Sequence, residues 1–254
     1  MNDLNYDKIK DYKREKYSKL YKRLKILAII LFFAGIFTFL CTSDYFNIKS
    51  INYQGCETIS SEKLNEELSS IYNQNIFIYD NRYIKLTLKK NSYIKSFEIK
   101  RKNINTLSIS ITEELPLYCI KIDEGYAILS EDLKVLEISE NNAYECIELV
   151  GLTYPEIKVN EKLDVDTLYL SSLSKLLPYI LQTNYDVKFD IIDLTNIIDI
   201  KCKTGDVDIL LGDDSNLKDK MEVVFSVLLS DKISLKKGYI NVSFDGTPVI
   251  KKES

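Results

Sequence analysis

The pattern of hydrophobic and polar positions sets one segment apart from the rest of the chain. Residues 26–43 carry no charged side chain, and nine Lys or Arg residues lie between Lys8 and Lys25. A helix of 18 such residues reaches about 27 Å, close to the ~30 Å hydrocarbon core of a bilayer. The pattern therefore predicts a transmembrane helix over residues 26–43. Its apolar positions include Ile26, Leu31, Phe33, Ile36 and Leu40.

Three other interpretations of this segment are weaker. A cleaved signal peptide has a short charged region and an Ala-x-Ala pattern after its core, whereas this charged region is 25 residues long and lacks that pattern. Leu40 is too bulky to precede a lipid-attached Cys41. A buried soluble helix does not explain the charge asymmetry, which is +5 over residues 1–25 and −9 over residues 44–254. This asymmetry predicts a cytoplasmic N-terminus and an outer part beyond residue 43.

A β-α-α-β-β pattern is predicted directly after the helix. Phe46–Tyr53 is a β-prone run, and Ser60 is a suitable N-cap for a first helix. Strands are predicted over Ile94–Arg101 and Thr106–Thr112. Apolar and hydroxyl side chains alternate in the second of these strands, so it should have one buried and one solvated face. The apolar positions at helical spacing are Leu64, Leu68, Ile71, Ile84 and Leu88.

Two adjacent carboxylates, Glu113 and Glu114, follow this pattern and could form a catalytic pair. Neighbouring residues in a strand point to opposite faces, so the two groups could not share a substrate there. We therefore expect a solvated strand end.

Residues 117–250 are predicted to form a larger, mostly antiparallel β domain with two helices. One helix is expected over Asp166–Thr183, where Pro178 should kink or shorten it. The other follows Asp213–Asn216, and a last strand is expected over Gly238–Phe244. The remaining β-prone runs are Tyr118–Ile122, Tyr126–Leu129, Val135–Ile138, Cys146–Val150, Val187–Leu194, Ile197–Cys202 and Val207–Leu211.

Composition excludes several kinds of chemistry. The chain has no His, which removes the general base of Ser–His–Asp and Cys–His catalysis. Its five Cys residues are scattered without a Cys-x-x-Cys pair, so they suit core positions better than a metal or redox site, although the outer four could form disulfides. The acidic outer part disfavours nucleic acid as a partner.

One further cluster of carboxylates was considered as a metal site. Asp206, Asp208, Asp213 and Asp214 could bind calcium, but they lack the spaced Asp-x-Asp-x-Asp-Gly loop, so turn and capping roles are expected instead.

The order and spacing of these elements resemble the FtsQ/DivIB family of bacterial cell-division proteins. The family usually has Pro where this chain has Ile104. The resemblance implies five parts: a basic tail over 1–25, the transmembrane helix over 26–43, a POTRA domain over 46–114, a β domain over 117–250 and a C-terminal tail over 251–254. The matching stretches are Phe46–Gly55, Asn75–Phe77 with Asp80, Ile94–Arg101, Thr106–Pro116, Leu149–Gly151, Leu211–Gly212 and Gly238–Asp245.

The resemblance also implies a function. It suggests a non-enzymatic scaffold without cofactors, concentrated at the division septum and held in the lipid bilayer. Its partners would be FtsB/DivIC-like and FtsL-like single-span proteins, linking the division ring to the septal wall synthase. The final strand would form the partner edge, through Tyr239, Asn241, Val242, Ser243 and Phe244. The alternatives are a carboxylate-dependent wall-active enzyme and a POTRA-bearing membrane-tethered sensor or adhesin.

Overall fold

The computed structural model describes residues 3–142, 144–182, 187–244 and 246–253, with side chains resolved at 17–18 and from residue 20 onward. The expected α+β fold class is confirmed: an apolar N-terminal helix precedes a three-stranded and a nine-stranded sheet. The chain divides into two compact units, one of residues 1–87 and 97–111 and the other of residues 88–96 and 112–254. The domain boundaries expected from the sequence remain a prediction.

The first helix, α1, runs without interruption over Asp3–Thr42. The basic segment expected as a separate tail is therefore helical from Asp3 onward. Within α1, the stretch Leu20–Thr42 has a mean hydropathy of 2.5 and is unburied by the rest of the protein. Its length and composition suffice to cross a membrane. Four of the predicted span positions are exposed and the fifth is half-buried: Ile26, Leu31, Phe33 and Ile36, then Leu40.

The β-α-α-β-β order after α1 is confirmed. The hydroxyl of Ser60 caps its first helix by accepting a hydrogen bond from the Lys63 amide at 3.3 Å. The sheet order is β1-β3-β2, with β1 parallel to β3. Fully buried apolar side chains, including Ile48, Leu64 and Ile84, fill its core. The elements are β1 (Ser50–Gln54), α2 (Ser61–Glu67), α3 (Asn81–Lys90), β2 (Ile94–Arg101) and β3 (Thr106–Glu113).

The second unit contains a mostly antiparallel nine-stranded sheet in the order β12-β11-β10-β9-β8-β7-β4-β5-β6. Two helices, α4 (Thr167–Ile180) and α5 (Leu217–Leu228), pack on its apolar face. Pro178 lies in the last turn of α4, which ends before the expected Thr183; that residue is outside the described ranges. The strands are β4 (Tyr118–Ile122), β5 (Gly125–Leu129), β6 (Val135–Ser139), β7 (Ile147–Val150), β8 (Ile191–Asp193), β9 (Ile200–Thr204), β10 (Asp206–Gly212), β11 (Lys237–Asn241) and β12 (Val249–Lys252).

The strand expected over Gly238–Phe244 is shorter than predicted and is not the last. It ends at Asn241, whose side-chain oxygen accepts a hydrogen bond from the Ser243 amide at 3.0 Å and so turns the chain. A further strand, β12, then pairs antiparallel with β11. Residues 251 and 252 therefore belong to a strand and not to a tail. The run Val249–Lys252 is too short to show strand periodicity.

The expectation of a solvated strand end at Glu114 is wrong. This side chain is 7% exposed, and one of its oxygens lies 4.0 Å from Nζ of Lys134, which is 14% exposed. The Lys134 ammonium also donates to the Ile94 carbonyl oxygen at 3.2 Å. Burial lowers the pKa of Lys134, an effect that the nearby Glu114 carboxylate opposes. The segments that cover Glu114 are distant in sequence, so the local pattern does not reveal its burial.

Breaking this buried pair should be costly for stability. Lys134→Met leaves the Glu114 charge buried without its partner, and we expect the free energy of unfolding to fall by about 3–5 kcal/mol. The exposed pair Lys162–Asp132, at 3.4 Å, is the matched control, where Lys162→Met should cost at most about 1 kcal/mol. Denaturant unfolding of the full chain in detergent measures both. Equal losses in the two variants would contradict the proposed importance of the buried pair.

Candidate functional site

The two edges of the nine-stranded sheet differ in how their backbone groups are satisfied. At β6, the Val135 amide donates to the Glu161 carbonyl and the Val135 carbonyl accepts from the Asn160 amide, at 2.9 and 2.8 Å. A loop therefore covers the start of that edge, at the first residue of β6. At the other edge, the described part of the chain places a strand on only one side of β12. An open strand edge is a template for pairing with another chain.

The register of β12 identifies the backbone groups that face outward. The Glu253 amide donates to the Lys237 carbonyl at 3.0 Å, and Lys251 lies opposite Tyr239. Hydrogen-bonded and non-hydrogen-bonded pairs alternate along an antiparallel ladder. Val249 and Lys251 therefore direct their backbone groups toward β11, whereas Ile250 and Lys252 direct theirs away from the sheet. The open edge thus offers the N–H and C=O groups of Ile250 and Lys252.

The side chains of β12 combine apolar surface with positive charge. Val249 is 44% and Ile250 37% exposed, and both lysines of the strand are exposed. The ammonium of Lys251 lies 6.0 Å from the ring centroid of Tyr239, within the range of a cation–π interaction. Lysines on a short edge strand discourage pairing between identical copies, and they favour a partner that carries acidic side chains.

A pocket of about 170 Å³ lies near the β11–β12 connection. The pocket is lined by helix α5 on one side and by the connection on the other. Lys220 lines it and is held by Asp213, whose Oδ1 lies 3.0 Å from Nζ. Hydrogen bonds from Ser215 and from Lys220 lower the pKa of Asp213 to about 2. The lining residues are Asn216, Asp219, Lys220, Val223, Val242, Phe244, Gly246 and Pro248.

The structure distributes the five predicted partner residues among three environments. Tyr239 and Asn241 lie in β11, which is paired with β10 on one side and β12 on the other. Val242 and Phe244 line the pocket, and Ser243 lies in the turn after β11. None of the five is in the open edge strand, β12. The hydrophobic pattern of the sequence did not predict this strand. The only local signal for that strand was the Val-Ile pair after the Thr247-Pro248 turn.

Two of the carboxylates considered as a metal site, Asp213 and Asp214, are engaged in structural contacts. Asp214 accepts hydrogen bonds from Ser172 and Lys175, at 3.1 and 2.8 Å. The expected turn and capping roles thus fit Asp213 and Asp214. Among the described residues, no three His, Cys, Asp or Glu side chains are grouped to hold a metal ion. The site is built from backbone groups and apolar side chains, which suit binding of a polypeptide.

Cys41, Cys119, Cys146 and Cys202 are free thiols in this structure. Cys119, Cys146 and Cys202 are buried, and burial raises their thiol pKa values to about 12, 11 and 12. The thiolate is the reactive form, so these positions are core residues and not nucleophiles.

Comparisons with known proteins agree with this architecture. A family model described as "POTRA domain, FtsQ-type" matches residues 46–114. The cell division protein DivIB of Clostridium acetobutylicum is 29% identical over 206 residues, covering 81% of this chain and 82% of that protein. DivIB of Clostridium botulinum (strain Hall) is 29% identical over 239 residues, covering 92% and 93%. The cell division protein FtsQ of Rickettsia felis is 28% identical over 147 residues, covering 50% and 54%.

The pairing of β12 depends on Gly238. This residue has φ +132°, and an added Cβ would lie 2.0 Å from the Lys251 carbonyl oxygen. We expect Gly238→Ala to separate β12 from β11, which would raise hydrogen exchange of the 249, 251 and 253 amides, the ones directed toward β11, roughly tenfold or more. Gly246→Ala is the matched control, because Gly246 has φ +136° but no atom within 4 Å of an added Cβ. A similar increase in both variants would show that backbone strain, and not the contact, controls the edge.

The burial of three cysteine thiols predicts that they react slowly with an alkylating reagent in the folded protein. At pH 8, iodoacetamide should modify Cys119, Cys146 and Cys202 at least about a hundredfold more slowly in the folded protein than in denaturant. Mass spectrometry of the digested protein measures each rate. Rapid labelling of Cys202 in the native protein would contradict its burial.

Proposed function

Because this chain belongs to the FtsQ/DivIB family of cell-division proteins, we propose that it is a non-enzymatic scaffold that binds other division proteins outside the cytoplasm. An apolar helix near its N-terminus fits a membrane-anchored division protein. The charge difference between residues 1–25 and the remainder supports a cytoplasmic N-terminus and an outer bulk. In this role the protein is concentrated at the septum and helps couple the division ring to septal peptidoglycan synthesis.

The open edge at β12 is the observation that carries this proposal. A partner segment in extended conformation gains main-chain hydrogen bonds to Ile250 and Lys252, and neighbouring pockets select its side chains. The pocket that contains Val242 and Phe244 supplies such a recess beside the β11–β12 connection. The five residues expected from the resemblance therefore support the edge strand and line its pocket, while β12 itself receives the partner.

The partners are proposed from the family resemblance. They are FtsB/DivIC-like and FtsL-like single-span proteins, with the septal wall synthase reached through them. The lysines of β12 favour a partner segment with acidic residues. Glu113 and Glu114 do not support the alternative of a carboxylate-dependent enzyme, because Glu114 is buried beside Lys134.

Proline substitutions can remove the outward hydrogen-bonding groups of β12 without disturbing its pairing with β11. Ile250→Pro and Lys252→Pro each remove an outward amide, and the ring obstructs an added strand, while the hydrogen bonds to β11 remain. Each should weaken partner capture roughly tenfold or more. The matched controls Ile250→Ala and Lys252→Ala keep the amide and should weaken capture less.

The assay is co-purification of single-span division proteins with the tagged full chain from membranes, together with mid-cell imaging. Hydrogen exchange at Lys251 checks that β12 remains paired with β11. If the proline variants retain β12 and still capture partners as well as the unsubstituted protein does, strand addition at this edge is wrong.

A further inference from the structure

The uncharged part of α1 is near the lower length limit for crossing a bilayer. Lys25 is the last charged residue before it, and residues 26–42 number 17. At 1.5 Å per residue they span about 26 Å, roughly 4 Å less than a typical hydrocarbon core. A short span is accommodated by bilayer thinning, by snorkelling side chains or by apolar surface supplied from neighbouring parts of the protein.

The segment 75–78 is fastened to the last turn of this helix within the first unit. Nδ2 of Asn75 donates to the Leu40 carbonyl oxygen at 2.8 Å, and the Asn75 side chain is buried. The Ile76 amide donates to the Phe46 carbonyl oxygen at 2.8 Å. The segment 75–78 therefore contacts the C-terminal end of α1.

Aromatic rings reinforce this attachment. The ring of Phe46 lies 6.4 Å from that of Phe39 and 5.4 Å from that of Phe77, measured between centroids. These distances are typical of packed aromatic pairs. Through these ring contacts Phe39, inside the apolar span, is linked to Phe77, in the segment 75–78.

Three apolar or aromatic side chains are left exposed at this level. Tyr45 is 64%, Phe77 41% and Ile78 63% exposed, and we call this group the juxtamembrane patch. The Arg101 guanidinium carbon lies 5.5 Å from the centroid of Phe77 and supplies a positive charge beside the patch. Aromatic and basic side chains of this kind are enriched where proteins meet lipid headgroups.

We propose that the juxtamembrane patch is inserted in the interfacial region of the outer leaflet, so that the first unit rests on the lipid surface. This inference rests on the membrane anchoring in the proposed function. The occupant is lipid because the patch continues the apolar surface of the span at the depth where α1 ends. Asp44 is exposed beside it, which limits insertion to the headgroup and upper acyl region. Arg101 is placed to contact lipid phosphate.

The chain contains no Trp, so single Trp substitutions can report the surroundings of chosen positions. Ile78→Trp probes the patch, and Phe33→Trp probes the span. Leu86→Trp is the matched control, because Leu86 is also apolar, is 52% exposed and lies farther along the same unit on α3. Each full-length variant is placed in nanodiscs of phosphatidylcholine and phosphatidylglycerol, with or without brominated acyl chains.

The proposal expects strong bromolipid quenching of Phe33→Trp and quenching of Ile78→Trp roughly threefold greater than that of Leu86→Trp. Quenching at Phe33→Trp but only control-level quenching at Ile78→Trp overturns the patch insertion and leaves the anchoring intact. An Ile78→Trp emission that is blue-shifted but unquenched means that protein covers the patch, which also overturns it. No quenching at Phe33→Trp overturns the anchoring and the insertion together.

Discussion

Main-chain hydrogen bonding joins the strands of the second unit, and in the part of the chain that the structure describes the β12 side of its sheet is left uncovered, so that another strand could pair there. At the opposite edge, the segment Asn160–Glu161 is hydrogen-bonded to Val135 and covers the start of β6. The β12 edge is short and carries two lysines, which is how natural sheets limit unwanted pairing. In the proposed role, a specific partner would supply acidic side chains and a side chain for the adjacent pocket.

The need of main-chain polar groups for hydrogen-bond partners also explains why the segment around Asn75 contacts the end of α1. Carbonyl groups at a helix C-terminus have no partner within the helix. Asn75 satisfies one of them by donating to Leu40, and its own oxygen accepts a hydrogen bond from the Phe77 amide at 2.9 Å. One buried amide side chain thus ends the helix and positions the neighbouring loop. The C-terminal end of the apolar helix and the segment 75–78 are therefore in direct contact at this point.

Charged groups are used sparingly inside the second unit. The buried pair of Glu114 and Lys134 is the notable case, since a carboxylate and an ammonium are both largely removed from solvent. Such pairs contribute little net stability compared with apolar packing, but removing one partner is strongly unfavourable. In this unit the pair helps to position the start of β2, because Lys134 also donates a hydrogen bond to the Ile94 carbonyl.

Local patterns determined much of this protein. The apolar run of α1, the Ser60 cap and the alternation in β3 depend on neighbours in sequence, so the sequence alone predicted the α+β class and the β-α-α-β-β order. Tertiary structure decided the rest. Whether Glu114 is solvated, and whether β11 or β12 forms the edge, depends on segments far apart in the chain. Burial and strand pairing between such segments leave no periodic signal in either one, because each contact is completed only when the chain folds.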